Sequence, residues 1–546
     1  MNRHGKVCLF MYGKVVSACL HGVDGKLVEV EVDLSNGLPQ MMIVGLPDVA
    51  IKESMERVRA AIKNCGFTFP LQRITVNLAP ADLRKEGSAF DLAIALGILK
   101  TSGQLPDEAL NDTLIIGELA LDGSVRSVPG VLSMIATARE QGIARVIVST
   151  ENAEEAAWIG GCDIRCVRHL GQFRRSEGNA EAAVAGGAEE LNAGSMGSLA
   201  GSGVSSRPKT AASRETRKTE EDYADVNGQL HVKRALMISA AGMHNFILIG
   251  PPGTGKTMLA KRLPTILPPM SDSESLDVTK IYSASGKFAD RRQLIRERPF
   301  RMPHHTISAG GLVGGGGIPK PGEVSLAHRG VLFLDELPEF SRVALEVLRQ
   351  PMEDRFVTIG RARAVYRFPA HFLLASSMNP CPCGYWGAAS DQQGCVCSPL
   401  KISRYRAKIS GPLLDRIDLH VEVPRIEYKD LRGSQQPLSS AEMRAAVERA
   451  HEIQKRRYAE AGIMFNSELN GKKLREHVKL DLPSSQLLER SFAALGLSVR
   501  AHDRILKIAR TIADLEGQSE IRADHVAEAL QYRVLDKKIN PQPLFG

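Results

Sequence analysis

The sequence lacks the long hydrophobic runs that membrane-spanning helices need. No apolar stretch reaches the roughly 18 residues that a transmembrane helix requires, so no membrane span is expected. The N-terminal segment also lacks a clear cleavage site, and Gly13 and Lys14 interrupt its short apolar stretch. A signal peptide is therefore not expected. Together these absences predict a cytoplasmic protein that has no membrane partner.

Charge of one sign is only slightly in excess. The formal net charge is +8, which is compatible with a nucleic acid partner but does not by itself indicate one. The hydrophobic fraction of 43% and the charged fraction of 24% are typical of a globular protein. A chain of 546 residues is long enough for about three domains.

Cysteine is scarce outside one short segment. The scattered cysteines are predicted to be buried thiols, because disulfides are rare in the cytosol. The other four form two C-x-C pairs within residues 381–397, and four thiolates so close together match a tetrahedral zinc site. The C-x-C spacing is tighter than usual, so redox-sensitive or simply free thiols are the alternatives. The candidate zinc ligands are Cys381, Cys383, Cys395 and Cys397.

One segment carries a complete phosphate-binding loop between a predicted strand and a predicted helix, the context that this motif requires. Its glycines allow backbone N–H groups to surround phosphate oxygens. Lys256 supplies a positive charge for the β- and γ-phosphates, and the Thr257 hydroxyl is a ligand for Mg²⁺. The predicted nucleotide-binding residues are Gly250, Pro251, Pro252, Gly253, Thr254, Gly255, Lys256 and Thr257.

Two further predicted strands end in polar residues suited to ATP hydrolysis. The apolar residues 331–334 are followed by Asp335 and Glu336, and α/β sheets bind their ligands at the carboxyl ends of strands. Asp335 is predicted to hold Mg²⁺, and Glu336 to orient and deprotonate the attacking water. The next strand leads to Asn379, a candidate for contact with the γ-phosphate. The alternative is a turn-forming asparagine before Pro380.

Three arginines outside the loop are candidates for contact with phosphate. Arg416 follows Asp415, which is expected to fix its guanidinium so that it reaches the nucleotide of a neighbouring subunit. The alternative for Arg416 is an ordinary ion pair within the chain. Arg500 and Arg504 open a predicted helix, and either is placed to fold back onto the γ-phosphate.

Composition and periodicity divide the chain into four parts. Residues 1–172 alternate strands and helices in a mixed α/β pattern. Residues 173–222 have almost no large apolar side chains and predict a flexible linker. Residues 223–425 carry the nucleotide motifs and the cysteines of 381–397, and residues 426–546 are predicted to be helical.

These motifs together resemble the AAA+ ATPases of the magnesium-chelatase-like branch, and especially the bacterial ComM/YifB family. The resemblance covers nearly the whole chain. Besides the phosphate loop and the two acids, it depends on residues 298–306, 321–328, 381–384 and 409–418.

The resemblance implies an α/β AAA+ core with a C-terminal helical lid, and ATP and Mg²⁺ as cofactors. It also implies a hexameric ring that moves on DNA, single-stranded or branched, and drives branch migration in recombination and natural transformation. By the same resemblance Arg416 is the arginine finger, Asn379 the sensor-1 residue and Arg500 the sensor-2 residue.

The N-terminal residues resemble the Lon-protease-type fold of the ribosomal S5 superfamily, through residues 74–78, 85–91 and 117–119. Proteolysis of the Lon type needs a serine with a lysine base. Ser88 lies close to the right place, but residues 129–134, where the base should lie, contain no lysine. A DNA-binding or assembly role is therefore expected for this domain. The alternative functions are a metal-insertion ATPase like the magnesium chelatase motor, and an ATP-dependent protease or regulator.

Overall fold

The computed structural model describes most of the chain, and its described residues form two compact units. The first unit contains the residues before 214 together with 276–295 and 358–367, and the second contains the remainder. Nearly all of the linker predicted at 173–222 lies outside the described residues, as does Cys8. The described residues are 12–106, 110–174, 221–288, 293–317, 319–361, 364–387, 394–425, 437–495, 497–533 and 535.

The first unit is built on a mixed seven-stranded sheet. Its elements are β1 (Tyr12–His21), β2 (Asp24–Ser35), β3 (Gln40–Val44), α1 (Val49–Asn64), β4 (Arg73–Ala79), α2 (Asp91–Thr101), β5 (Thr113–Ile115), β6 (Glu118–Leu119), β7 (Val125–Arg126), α3 (Val131–Glu140), β8 (Arg145–Ser149), α4 (Ala153–Ala156) and β9 (Asp163–Val167). The sheet order is β3-β4-β2-β1-β5-β8-β9. The pairs β1–β2 and β2–β4 are antiparallel, and the other neighbours are parallel.

Both faces of this sheet are covered. Side chains alternate between the two faces of a strand, and β8 shows the consequence. Ile147 belongs to the apolar cluster that includes α1 and α2, whereas Val146 and Val148 belong to the cluster that includes α3 and α4. This mixed α/β arrangement agrees with the fold class predicted for the N-terminal residues.

Helix α1 shows how the sequence sets its own boundary. The Asp48 carboxylate accepts a hydrogen bond from the N–H of Ile51 at 2.8 Å, which caps the free donors of the first turn. Ile51, Val58 and Ile62 then recur at helical spacing and are buried. The spacing of these apolar residues predicts a helix over 48–63, and the structure confirms it to within a residue.

The second unit contains the nucleotide motifs and the C-terminal helices. Its elements, in chain order, are α5 (Leu230–Gly242), β10 (Phe246–Ile249), α6 (Lys256–Lys261), α7 (Asp272–Ala284, partly in the first unit), β11 (Phe300–Arg301), α8 (Ala309–Val313), β12 (Gly314–Gly315), β13 (Lys320–Pro321), α9 (Glu323–Leu326), β14 (Val331–Leu334), α10 (Arg342–Glu346), α11 (Arg349–Asp354), β15 (Phe356–Arg361), β16 (Ala364–Pro369), β17 (Leu373–Met378), α12 (Pro399–Arg406), α13 (Gly411–Leu414), β18 (Leu419–Glu422), α14 (Ser440–Arg457), α15 (Gly471–His477), α16 (Leu482–Leu495), α17 (Val499–Leu515) and α18 (Ala523–Gln531). Strands β15 and β16 pair with each other, and most of both strands, residues 358–367, is counted with the first unit.

A parallel five-stranded sheet positions the candidate site. Its order is β11-β14-β17-β10-β18, and all neighbouring strands are parallel. The register pairs Leu334 with Ser376 and Ile249 with Met378. The carboxyl ends of β10, β14 and β17 therefore meet at one edge of the sheet.

The C-terminal helices share one apolar core with this sheet. Ile505, Ile508 and Ile512 of α17 belong to the same buried cluster as Phe246 and Leu248 of β10. The helix predicted at 498–515 is confirmed as α17, whereas α15 and α16 were not predicted. No helix among the described residues is both long and apolar enough to cross a membrane.

The chain after α18 returns to the sheet. Arg533 is buried, and its guanidinium donates hydrogen bonds to the carbonyls of Ile417, at 2.7 Å, and Asp418, at 3.2 Å. The backbone N–H of His420 donates to the carbonyl of Tyr532 at 2.8 Å. The start of β18 is therefore held by residues more than a hundred positions later.

Candidate active site

The predicted phosphate loop lies between β10 and the N-terminus of α6. Gly253 and Gly255 have φ values of +79° and +83°, a conformation that glycine adopts without steric cost. A Cβ on Gly250 would collide with the carbonyl oxygen of Val423. Each of the three motif glycines is therefore required by the local backbone, and the loop has the strand–loop–helix context that its sequence predicted.

Lys256 is buried within this loop. It is 9% exposed, and its ammonium donates hydrogen bonds to the carbonyls of Gly250 and Pro251 at 2.7 and 2.8 Å. It also donates to Asn379 Oδ1 at 3.2 Å. Burial lowers the pKa of Lys256 to about 8, against the opposing effect of two nearby carboxylates. The structure thus brings Asn379 into direct contact with the loop lysine, while its predicted contact with the γ-phosphate stays a prediction.

Asp335 lies at the end of β14 and is held from two sides. Its Oδ2 accepts a hydrogen bond from the Thr257 hydroxyl at 2.7 Å, and its Oδ1 accepts one from the Ser377 hydroxyl. Hydroxyl and carboxylate oxygens are the ligands that Mg²⁺ prefers. The donor set of Thr257 and Asp335 therefore fits the magnesium ion predicted for this position.

Glu336 follows in a conformation that is uncommon for a residue with a side chain. Its φ is +54° and its ψ is +51°, in the left-handed region that non-glycine residues seldom occupy. Its N–H donates to Ser377 Oγ at 3.2 Å, and its side chain is exposed at the edge of the sheet. Such strained backbone is concentrated at functional sites, and the role of Glu336 in orienting and deprotonating water stays a prediction.

Ser377 is a site residue that the sequence interpretation missed. Its hydroxyl contacts both Asp335 and the N–H of Glu336, so it links the two acids to β17. A serine within a strand has no distinguishing motif. The only available signal was its position two residues before Asn379, on the strand expected beside β14.

We expect Ser377→Ala to lower ATP turnover by about tenfold with little change in ATP affinity, since residues that orient a metal ligand typically contribute 10–100-fold. Steady-state kinetics would give kcat and KM separately. Ser377→Thr, which keeps the hydroxyl, should restore turnover. Ser376→Ala is the matched control, because the hydroxyl of Ser376 donates to the carbonyl of Phe246 instead. A similar loss in both alanine variants would contradict a positioning role for Ser377.

Arg416 is paired differently from the sequence prediction. The neighbouring Asp415 was expected to fix its guanidinium, and this is wrong. Arg416 is 8% exposed and forms an ion pair with Glu353 of α11, while it also donates to the carbonyl of Pro412 at 2.6 Å. Asp415 instead lies 3.9 Å from Arg500. Arg416 is therefore paired with a carboxylate 63 positions earlier in the chain, which its local sequence does not reveal.

The other two arginines have different surroundings. The side chain of Arg500 is 61% exposed. Arg504 is largely buried and lies 2.9 Å from Asp418. Burial alone would raise the pKa of Asp418, but its hydrogen bond with His244 and the charge of Arg504 hold it well below its usual value. Arg504 is thus held in a structural ion pair, whereas Arg500 is the more accessible of the two arginines.

The four clustered cysteines come together as predicted. Their sulfur atoms all lie within 4.8 Å of one another, and three of the separations are 3.3, 3.6 and 3.7 Å. Zn–S bonds of about 2.3 Å in a tetrahedron place sulfur atoms about 3.8 Å apart. The N–H groups of Trp386 and Cys397 donate to two of the sulfurs, at 3.3 and 3.4 Å. The geometry fits a Cys₄ zinc site.

In the described part of the first unit, Ser88 and Lys85 have separate hydrogen-bond partners. The Ser88 hydroxyl donates to Glu118, and the buried ammonium of Lys85 donates to the carbonyl of Pro80. Burial lowers the pKa of Lys85. Ser88 therefore has a carboxylate, and Lys85 a backbone carbonyl, as the hydrogen-bond partner that the structure gives it; that the domain is not a protease stays a prediction.

Comparison with known families accounts for most of the chain. Residues 222–431 match the model of magnesium chelatase, subunit ChlI. Residues 30–152 match subunit ChlI of Mg-chelatase, and residues 437–533 match the C-terminal part of the same subunit.

Individual relatives align over nearly their whole lengths. The chain is 44% identical over 525 residues to the competence protein ComM of Haemophilus influenzae, covering 95% of this chain and 97% of that protein. It is 41% identical over 517 residues to YifB of Escherichia coli, covering 94% and 96%. The chain belongs to the ComM/YifB family. It is therefore a magnesium chelatase-like AAA+ ATPase, a class that uses ATP and Mg²⁺.

The N-terminal residues of this ComM/YifB protein have a second similarity. A segment of 150 residues is 30% identical to Lon protease 2 of Bacillus subtilis and covers 26% of this chain and 27% of that protein. The Lon-like N-terminal region predicted from the sequence is thereby confirmed, although the arrangement of Ser88 and Lys85 differs from a serine–lysine pair.

Proposed function

We propose that the protein is an ATP-driven DNA motor that acts in recombination and natural transformation. In this proposal it forms a homo-oligomeric, hexameric ring in the cytoplasm and moves on single-stranded and branched DNA. The observation that carries the motor part is the assembly of Lys256, Thr257, Asp335 and Asn379 at one edge of the sheet. The near full-length similarity to a protein named for competence supports the DNA part.

The residues at the sheet edge have separate roles in ATP hydrolysis. Lys256 and the loop N–H groups bind the phosphates, and Thr257 and Asp335 would hold the Mg²⁺ that would neutralise phosphate charge. Glu336 accepts a proton from the attacking water and orients it. Asn379, already bonded to Lys256, places a polar group beside the γ-phosphate. The chain contributes positioning and electrostatics, which provide most of the catalysis in phosphoryl transfer.

The arginines complete the site in this proposal. Arg416 acts on the nucleotide of a neighbouring subunit, for which its guanidinium must leave Glu353. Arg500, exposed at the start of α17, contacts the γ-phosphate and couples the C-terminal helices to the nucleotide state. Because Arg504 is already paired with Asp418, Arg500 is the better candidate of the two.

The cysteines complete the set of cofactors. We infer that Cys381, Cys383, Cys395 and Cys397 bind one Zn²⁺ per chain, because their separations fit a sulfur tetrahedron and exceed the roughly 2 Å of a disulfide. The metal in this arrangement has four protein ligands and no open position, which is typical of structural zinc sites.

A second candidate function is a metal-insertion ATPase, which the description of the matching family models favours. The two functions differ in what stimulates hydrolysis. ATP turnover of the full chain would be measured alone and with single strands, duplexes, four-way junctions or a chelatase partner. We expect junctions and single strands to raise turnover and junctions to be migrated.

Lys256→Ala is the control for this experiment. It should bind ATP weakly and migrate no junction, because the charge that binds the phosphates is lost. Turnover that no DNA changes, but that a chelatase partner raises, would replace the DNA proposal with metal insertion.

A further inference from the structure

The cysteine loop, defined here by its described residues 381–387 and 394–397, contacts the phosphate loop directly. A Cβ on Gly384 would lie 2.6 Å from Cδ of Pro252, so the Pro252 ring packs closely against the backbone of Gly384. Gly384 has a φ of +86°, which also favours glycine. The contact therefore requires glycine at position 384, because a side chain there would collide with Pro252 and would strain the backbone.

A second set of contacts holds the start of the cysteine loop. The guanidinium of Arg406, at the end of α12, lies 4.6 Å from the ring centroid of Trp386 and 3.4 Å from the carbonyl oxygen of Pro380. The N–H of Trp386 donates to Cys381 Sγ at 3.3 Å. Pro380, which directly follows Asn379, is thus held between the first cysteine and Arg406.

The cysteine loop has few buried apolar side chains that could stabilise its conformation without a metal. Among its described residues Cys381 is fully buried, whereas Val396 is 86% exposed. A short polar loop with four converging thiols is ordered by metal binding, since the free energy of binding becomes free energy of folding. Any contact that the loop makes with the nucleotide site then depends on the metal.

We propose that zinc bound by the four thiolates fixes the cysteine loop against Pro252 and Asn379, and that ATP hydrolysis requires this zinc even without DNA. The inference rests on the proposed zinc and ATP sites and is independent of the DNA substrate. It assigns the cysteine loop to the ATPase site itself, rather than to a separate DNA-binding element.

The first test uses the full chain with Cys395→Ser and Cys397→Ser together. Zinc content by elemental analysis should fall from about one per chain to near zero, and basal kcat/KM for ATP should fall at least about tenfold. The matched control is Cys162→Ser with Cys166→Ser, two partly buried cysteines of the first unit. The control should keep both zinc and activity, and circular dichroism would check that each variant is folded.

The second test keeps all four thiols. Gly384→Ala should retain zinc yet raise the KM for ATP by about threefold or more, since its methyl group displaces the loop from Pro252. Removing zinc from the wild type with a chelator that spares Mg²⁺ should lower turnover, and added Zn²⁺ should restore it.

Three results would overturn the proposal. The first is that the wild-type chain carries no zinc after purification under reducing conditions with zinc supplied. The second is a zinc-free variant with wild-type basal turnover, and the third is a Gly384→Ala variant with unchanged ATP kinetics. If zinc dependence is found but no DNA stimulates turnover, the DNA proposal fails and this inference stands.

Discussion

Arg416→Ala should lower ATP hydrolysis by about 10³-fold or more while leaving ATP affinity nearly unchanged, since an arginine supplied to the transition state typically contributes 10³–10⁵-fold. Turnover and nucleotide affinity would be measured on the same assembled protein. The effect is expected only in assemblies, because Arg416 acts on the nucleotide of the neighbouring subunit in the proposed ring.

Mixing subunits provides the decisive measurement. In a ring of Arg416→Ala and Lys256→Ala subunits, the first kind retains its phosphate loop and the second supplies an intact Arg416. Part of the activity should return where the two meet, although each variant alone is inactive. Absence of rescue in rings shown to be mixed would contradict an action between subunits.

Glu353→Gln separates this role from the ion pair within the chain. Glu353 holds Arg416, so a purely structural ion pair predicts equal losses when either partner is changed. If Arg416 instead acts on a neighbouring nucleotide, Glu353→Gln should retain most of the turnover and cost mainly stability. Equal loss of turnover in both variants would assign Arg416 to the fold alone.

Glu336→Gln should bind ATP but hydrolyse it at least about 100-fold more slowly. A 100-fold loss of rate corresponds to about 2.7 kcal/mol of transition-state stabilisation. Glutamine keeps the size of the side chain and its left-handed backbone position, but it accepts no proton from water. The measurement is single-turnover hydrolysis of bound ATP.

Glu339→Gln is the control for this prediction. Glu339 lies three residues later and pairs with Lys408 at 3.2 Å on the surface, so its change should leave turnover within about twofold, as expected for a surface substitution. Near-normal hydrolysis in Glu336→Gln would remove Glu336 from the role of base.

The parts of the site that could be predicted from sequence are those in which one local motif determines one local geometry. The phosphate loop needs only its glycines, a strand before it and a helix after it, and all of these are contiguous. Asp335 and Asn379 could be placed because parallel strands bring their carboxyl ends to one edge. The four cysteines were recognisable because two C-x-C pairs lie within one short segment, residues 381–397.

The parts that could not be predicted depend on register or on distant segments. Ser377 meets Asp335 because β17 and β14 align in one particular register, and a shift of one residue would turn its hydroxyl to the other face. The partner of Arg416 lies on α11, which no local pattern connects to α13. Contact between Gly384 and Pro252 likewise arises only when β10 and β17 pair side by side.

The buried Arg533 affects when, during synthesis, the nucleotide-binding sheet can complete its fold. Domains generally fold as units during synthesis, with N-terminal ones first, so the first unit has its whole seven-stranded sheet available early. The nucleotide-binding sheet differs, because the turn at Ile417 and Asp418 is held by Arg533. A nascent chain can contain every nucleotide motif and still lack the residue that fixes the start of β18. We therefore expect a nascent chain to become a competent ATPase only after α18 and Arg533 have been synthesised.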